Sequence, residues 1–143
     1  MLFRSHSLIG FGKVYIGRAE DTEAHVIEAL RLSPRDTTAY IWMTNAGIAK
    51  NRLGSWEQAV AWLRRAIEAN RNDPPAYFAL AAALAQLDRL SEAHSAVKAG
   101  LALNPAFTIS RARAAWNAMS DDPTYLAQLE PLFDGMRKAG VPE

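Results

Sequence analysis

The sequence contains no cysteine, so it forms no disulfide framework and offers no thiolate to a metal. It has no surplus of either charge: sixteen basic against fifteen acidic side chains leave a formal net charge of +1. A chain held on nucleic acid mainly through phosphate contacts carries a basic excess, so nucleic acid is not expected as a partner. No apolar run approaches the roughly 20 residues that span a bilayer, so no membrane partner is expected either. Lys13 interrupts the apolar N-terminal segment MLFRSHSLIGFGKVYIG, and no small-residue cleavage pattern follows it. The expected setting is cytoplasmic. Catalytic signatures are missing too: the chain has no HExxH, GxSxG, GxGxxG or GxxxxGK[ST]. His6, His25 and His94 are separated singles, and GFGKVYIG at residues 10–17 matches no phosphate loop. Asp121 and Asp122 before Pro123 suit a helix start better than an acid-base pair. No catalytic, metal-binding or cofactor-binding residue is assigned, and the chain is not expected to be an enzyme.

What the sequence does contain is one phrase written three times. VIEALRLSPRD from Val26 returns as LRRAIEANRND from Leu63 and as VKAGLALNPAF from Val97. Ala29, Ala66 and Gly100 stand 37 and then 34 residues apart. The same two steps relate Leu30, Ile67 and Leu101; Gly10, Gly47 and Ala81; and Gly17, Gly54 and Asp88. Periods of roughly 20 to 50 residues define repeat architectures. Within a unit the apolar residues fall at helical spacing, as in Val60, Leu63, Ala66 and Ile67. The preceding half is helix-forming as well, as in the alanine- and leucine-rich YFALAAALAQL of residues 77–87. Breakers at Gly17, at residues 53–55 and at residues 88–91 separate the halves, with Ser91 placed to cap the helix after it. Small residues at 10, 47 and 81 and at 29, 66 and 100 let paired helices approach, while Val26, Leu63 and Val97 fill the space beside them. No unit buries its apolar face without the next, which is why the phrase recurs. The expected division is one domain over residues 1–143, with units 3–36, 37–73 and 74–107 and capping helices over 108–139.

A 34-residue helix-turn-helix with small residues at its eighth, twentieth and twenty-seventh places and proline near its thirty-second resembles the tetratricopeptide repeat. Residues 74–107 fit best, through Tyr77, Leu80, Ala81, Leu84, Ala93, Val97, Gly100 and Pro105. The first unit keeps Gly10, Ala29 and Pro34 but has Thr22 where alanine is usual. The second runs 37 residues with Arg71 at the proline place, so its first helix is expected to begin near Thr37 and to gain about a turn. More closely, SPRDTTAYIWM, EQAVAWLRRAIEANRNDPPAYF, AGLALNPAFTISRAR and YLAQLEPLFDGMRKAGVPE look like the C-terminal repeat region of alphaproteobacterial class III adenylate or guanylate cyclase-like multidomain proteins. That resemblance implies a regulatory, signalling-associated interaction module without cyclase activity. Pro131 is expected to kink or split the last helix.

The repeat resemblance implies an all-α, right-handed helical solenoid of three helix-turn-helix units plus a C-terminal capping pair, with a concave groove lined by the first helices. The groove-facing places of the family fall on Ser7, Phe11 and Tyr15 in the first unit, on Ile41, Thr44, Ile48 and Arg52 in the second, and on Phe78, Ala82 and Gln86 in the third. The implied function is a protein-interaction scaffold that receives a peptide or helix by apolar burial. The lysine and asparagine clamp of some members is not expected, because Ser7 and Phe11 stand in its places. The helix from Pro123 to Ala139 is expected to cover the open face of the third unit and to fill part of the groove. Leu2, Phe3, Leu8, Ile9, Phe11, Val14, Tyr15 and Ile16 make the first helix apolar nearly all round, which implies the alternative use of the fold, a homodimer through the first repeat. Trp42, Trp56, Trp62 and Trp116 are read as packing groups, and the basic pairs at 64–65, 111–113 and 137–138 as solvated faces.

Overall fold

The computed structural model describes residues 2–143, with the side chains of Leu2, Phe3, Arg4 and Ser7 outside the described residues. Its helices are α1 (Leu2–Tyr15), α2 (Thr22–Leu32), α3 (Ala39–Arg52), α4 (Trp56–Ala69), α5 (Pro74–Gln86), α6 (Leu90–Leu103), α7 (Ile109–Asn117) and α8 (Pro123–Ala139), and no strand occurs among the described residues. One 3-10 turn, Ala19–Asp21, leads into α2. The three turns that close the α1–α2, α3–α4 and α5–α6 pairs share one device. Gly17, Gly54 and Asp88 take φ of 74°, 71° and 58°, the left-handed region in which a Cβ is strained and glycine is not. The chain then reverses, and the two helices lie antiparallel at close range. At Gly47 a Cβ would overlap the Leu63 side chain, so glycine in α3 is what lets the fully buried Leu63 of α4 sit against it.

Neighbouring pairs stack through buried faces. Val26, Ala29, Ala39, Trp42, Ala46 and Trp62 form one apolar cluster across the first two pairs. A polar staple reinforces it: Lys50 Nζ lies 2.7 Å from Glu23 Oε2, and Trp62 Nε1 donates to Glu23 Oε1 at 2.9 Å. Burial alone would push the Glu23 carboxyl up, but the Lys50 and Trp62 hydrogen bonds outweigh it and hold the carboxyl below its ordinary value. The second and third pairs share a larger core that includes Leu63, Phe78 and Leu84, and Asn51 Nδ2 donates to the Ala79 carbonyl at 2.9 Å across it.

Three local expectations are corrected. The α3 helix starts at Ala39 and gains no turn; the extra residues of the second unit fall mainly in the connection before it. There the Asp36 carboxylate accepts from the Thr38 backbone N–H at 2.8 Å, a local turn that holds the chain out of helix up to Thr38. Ser91 lies inside α6, and Arg89 occupies the N-cap position. The α8 helix is not split at Pro131 but runs unbroken, with the Pro131 carbonyl accepting from Gln86 Nε2 at 2.6 Å. Asp122 does start α8, accepting from the Tyr125 N–H at 2.9 Å.

The α7–α8 hairpin turns back over the row of first helices instead of only closing the end of the third pair. The loop between its helices reaches the first pair, where Ser120 Oγ donates to the Tyr15 carbonyl at 2.6 Å and Gly17 lies against Asp122 and Thr124. From there α8 passes α3, packs along α5, and ends beside α6. The C-terminal residues tie the hairpin shut: Ile109 and Ser110 donate their N–H groups to the carbonyls of Pro142 and Glu143 at 2.8 and 3.0 Å. A buried stripe on α8, Tyr125, Leu129, Leu132, Phe133 and Met136, follows the helical period and faces the solenoid. At about 1.5–3 kcal/mol per buried side chain, that stripe contributes on the order of 10 kcal/mol. The hairpin is therefore an integral layer of the fold, its buried stripe belonging to the same core as Leu63, Phe78 and Leu84.

Candidate functional site

Residues three or four apart on a helix share a face, and this spacing aligns Ile41, Thr44, Ile48 and Arg52 down one side of α3. Phe11 and Tyr15 of α1 flank that row, as does Phe78 of α5. The hairpin does not seal against it. Between these seven residues and Trp116, Tyr125, Leu132 and Met136 of the hairpin lies a cavity of about 400 Å³, closed at one side by Phe107 and bounded at another by Asp73, Pro74 and Pro75. Its size falls within the range of sites that accept small molecules or single peptide anchors, roughly 300–1,000 Å³.

The walls are largely aromatic and mutually locked. Phe78 stacks on Phe107 with centroids 3.8 Å apart, Phe107 meets Trp116 at 6.5 Å, and Trp116 stacks on Phe133 at 5.5 Å. On the other side Phe11 meets Tyr15 edge-on at 5.0 Å, and Tyr15 lies 5.5 Å from Tyr125. Burial pushes the Tyr15 hydroxyl above its ordinary value; the neighbouring Tyr125 adds to this and Arg52 opposes it.

Two charged groups lie on the cavity, and neither has an ion-pair partner within 4.0 Å among the described residues. Arg52 is only 8% exposed, and its guanidinium carbon lies 4.8 Å above the Tyr125 ring centre. Its Nε and Nη1 find no hydrogen-bond acceptor, and burial pushes the guanidinium below its usual value. Asp73 stands at the opposite end, its carboxyl raised by burial and lowered in part by the Thr44 hydroxyl 3.0 Å away. An open recess of about 530 Å³ on the far side of Arg52, between the α3–α4 turn and α8, contains the further unpaired atoms Asn51 Oδ1 and Gln128 Oε1.

Of the ten residues expected in the groove, Phe11, Tyr15, Ile41, Thr44, Ile48, Arg52 and Phe78 thus border one cavity. Ala82 is fully buried beneath Gly135 of α8, and Gln86 is engaged by Pro131 and Lys138. The side chain of Ser7 lies outside the described residues. Sequence spacing missed Asp73 and the hairpin's contribution, because neither belongs to the first-helix positions from which the groove was read. His6 and His25 are brought together, Nδ1 to Nδ1 at 3.2 Å, but no group of three or more metal-ligating residues occurs among the described residues. No helix among them is long and apolar enough to cross a membrane. On α1, Leu8 is 72% and Ile9 49% exposed, whereas of their counterparts in α3 Asn45 borders the cavity and Ala46 packs against Val26 and Ala29 of the preceding pair. Leu2 and Phe3, also expected on that apolar surface, lie outside the described side chains.

A family model described as a TPR repeat matches residues 47–88. No curated protein matches the sequence. Among solved structures, the first TPR of Spaghetti (RPAP3) bound to the HSP90 peptide SRMEEVD is similar at 18% identity with a TM-score of 0.67, over 95% of this chain and 94% of that one. The crystal structure of MamA is similar at 19% identity and a TM-score of 0.68, over 95% and 79% of the two chains. A tetratricopeptide repeat protein from Parabacteroides merdae is similar at 17% identity and a TM-score of 0.66, over 96% of this chain and 53% of its own. At these identities the likeness is one of fold: the chain is an all-α, right-handed TPR-like solenoid with a C-terminal helical pair.

Proposed function

We propose that the chain is a non-catalytic protein-interaction scaffold whose cleft, between the first helices and the α7–α8 hairpin, receives an apolar anchor from a partner peptide or helix. The observation that carries this reading is the cavity of about 400 Å³ left between two tightly packed layers. A neighbour of the same fold solved with a bound HSP90 peptide supports a peptide as the occupant's class. The partner need not displace α8, which would sacrifice on the order of 10 kcal/mol of burial; it inserts beside it. The resemblance to cyclase-associated repeat regions further supports a regulatory module of a cytoplasmic signalling protein. Ile41, 42% exposed at the cavity, allows a test with little cost to the fold. Peptides selected from a random library on the wild-type chain are expected to lose at least about tenfold in affinity for Ile41→Lys, because covering an ammonium group with an apolar anchor is unfavourable. Equal binding to both proteins would place the peptide site elsewhere.

The exposed Leu8 and Ile9 favour a second reading, self-association through α1. A wild-type dimer by sedimentation equilibrium that becomes monomeric on Leu8→Glu is the expected result under that reading; a wild-type monomer at high micromolar concentration contradicts it.

A further inference from the structure

We propose that the cleft selects a partner segment in which a bulky apolar side chain adjoins a cationic group, the apolar side chain filling the cavity and the cation meeting Asp73 at its rim. This deepens the preceding proposal and rests on the cleft being the partner's site. The repeat register shows why Asp73 is open to a partner. Its counterpart one unit earlier, Asp36, is used by its own turn, accepting from the N–H of Thr38 two residues on. Two residues after Asp73 stands Pro75, which has no N–H, and Pro74 has none either. Asp73 occupies the N-cap position of α5 yet makes no side-chain capping bond. Its remaining neighbour, the Thr44 hydroxyl, lies 3.0 Å from the carboxylate and 2.9 Å from the Tyr40 carbonyl, and one hydroxyl proton cannot serve both at once. Lysine and arginine are absent from within 4.0 Å of Asp73 among the described residues. Burial opposes ionisation of the Asp73 carboxyl, while the positive end of the α5 dipole and an incoming cation both favour it.

The other charge fixes the polarity of the occupant. Arg52 sits eight residues from Thr44 along α3, a rise of about 12 Å. Its guanidinium stacks on Tyr125 and its Nε and Nη1 are buried, so most of its donor edge is turned away from an incoming carboxylate. Its positive field nevertheless repels a cation driven deep into the cavity. The favourable arrangement is apolar group inward, against Ile48, Phe78 and Trp116, and cation outward beside Asp73, where Ile41 and Pro75 are exposed.

Three matched probes test this on the full chain: 4-phenylbutylamine, 4-phenyl-1-butanol and 4-phenylbutyrate, followed by amide chemical-shift titration. The amine is expected to bind about tenfold more tightly than the alcohol, with the acid weakest, as a charge-assisted hydrogen bond requires. Asp73→Asn, with an unchanged helical spectrum, is expected to abolish the amine's advantage. Equal binding of amine and alcohol to the wild type would overturn the charge selectivity while leaving the apolar cleft intact, and so would tightest binding by the acid. If no probe shifts the resonances of Ile48, Phe78 or Trp116, the cleft itself is not the binding site and both proposals fall.

Discussion

Phe133→Ala is expected to lower the stability of the chain by about 3–5 kcal/mol, the range for truncating a fully buried phenylalanine. Phe133 has no exposed surface and joins the two helices of the hairpin to the solenoid. One face of its ring stacks on Trp116 of α7, with centroids 5.5 Å apart and planes within 14°. The guanidinium carbon of Arg113 lies 4.4 Å from the ring centre, held there by its ion pair with Glu130. Alanine removes the ring that both groups pack on and leaves a void that the surrounding helices cannot close without losing the Phe107–Trp116 contact. Phe133→Leu keeps most of the volume and is expected to cost less than half as much. Urea denaturation gives both values. A loss below about 1 kcal/mol for alanine would mean that the hairpin is not packed as described.

Gly135→Val is expected to cost about 1–3 kcal/mol, by a different route. A Cβ at Gly135 falls 2.6 Å from the Ala82 carbonyl oxygen and 3.1 Å from the Ala82 Cα, so the obstacle is backbone and cannot rotate aside. The α5 helix cannot retreat, because Ala81 to Ala85 are all at most 1% exposed within the solenoid. The α8 helix must lift instead. Valine recovers a few tenths of a kcal/mol in helix propensity over glycine, well below the overpacking term. The loss is therefore expected to be local first: hydrogen exchange should quicken in α8 before it quickens in α4 or α5. A Gly135→Val chain as stable as the wild type would show that α8 does not touch α5 backbone to backbone.

The solenoid was legible in the sequence because its determinants are local and repeated. Gly17, Gly54 and Asp88 recur at the one left-handed position of each turn, and Gly47 recurs in the column where a helix must admit Leu63. The seven groove residues that meet at the cavity were legible for the same reason, being consecutive positions on one face of α1, α3 and α5. The course of the hairpin was not. The stripe from Tyr125 to Met136 announces a helix with one buried side, but the face it covers is chosen by Gly135 against Ala82 and by Ser120 against Tyr15, contacts between residues far apart in the chain. The starting point of α3 was misjudged because the Asp36 turn competes with helix, a side-chain effect that repeat length does not reveal. Asp73 was passed over because it lies at a unit boundary, and its openness depends on two prolines denying it the bond that Asp36 makes.

The α8 helix packs along α5 on the inner side of the solenoid, and the cavity exists because of that packing. A chain without cysteine makes its most direct test clean. Gln86 and Lys138 bring their side-chain tips to 3.3 Å, one on α5 and the other near the end of α8. Gln86→Cys with Lys138→Cys, treated at high dilution with a short thiol-specific bridging reagent, is predicted to form an intrachain bridge in nearly every molecule. Gln86→Cys with Arg31→Cys, which places the second thiol on the exposed surface of α2, is predicted to form none. Bridging of the 86–138 pair no faster than this control would contradict the folded-back hairpin and, with it, the cavity on which the proposed function stands.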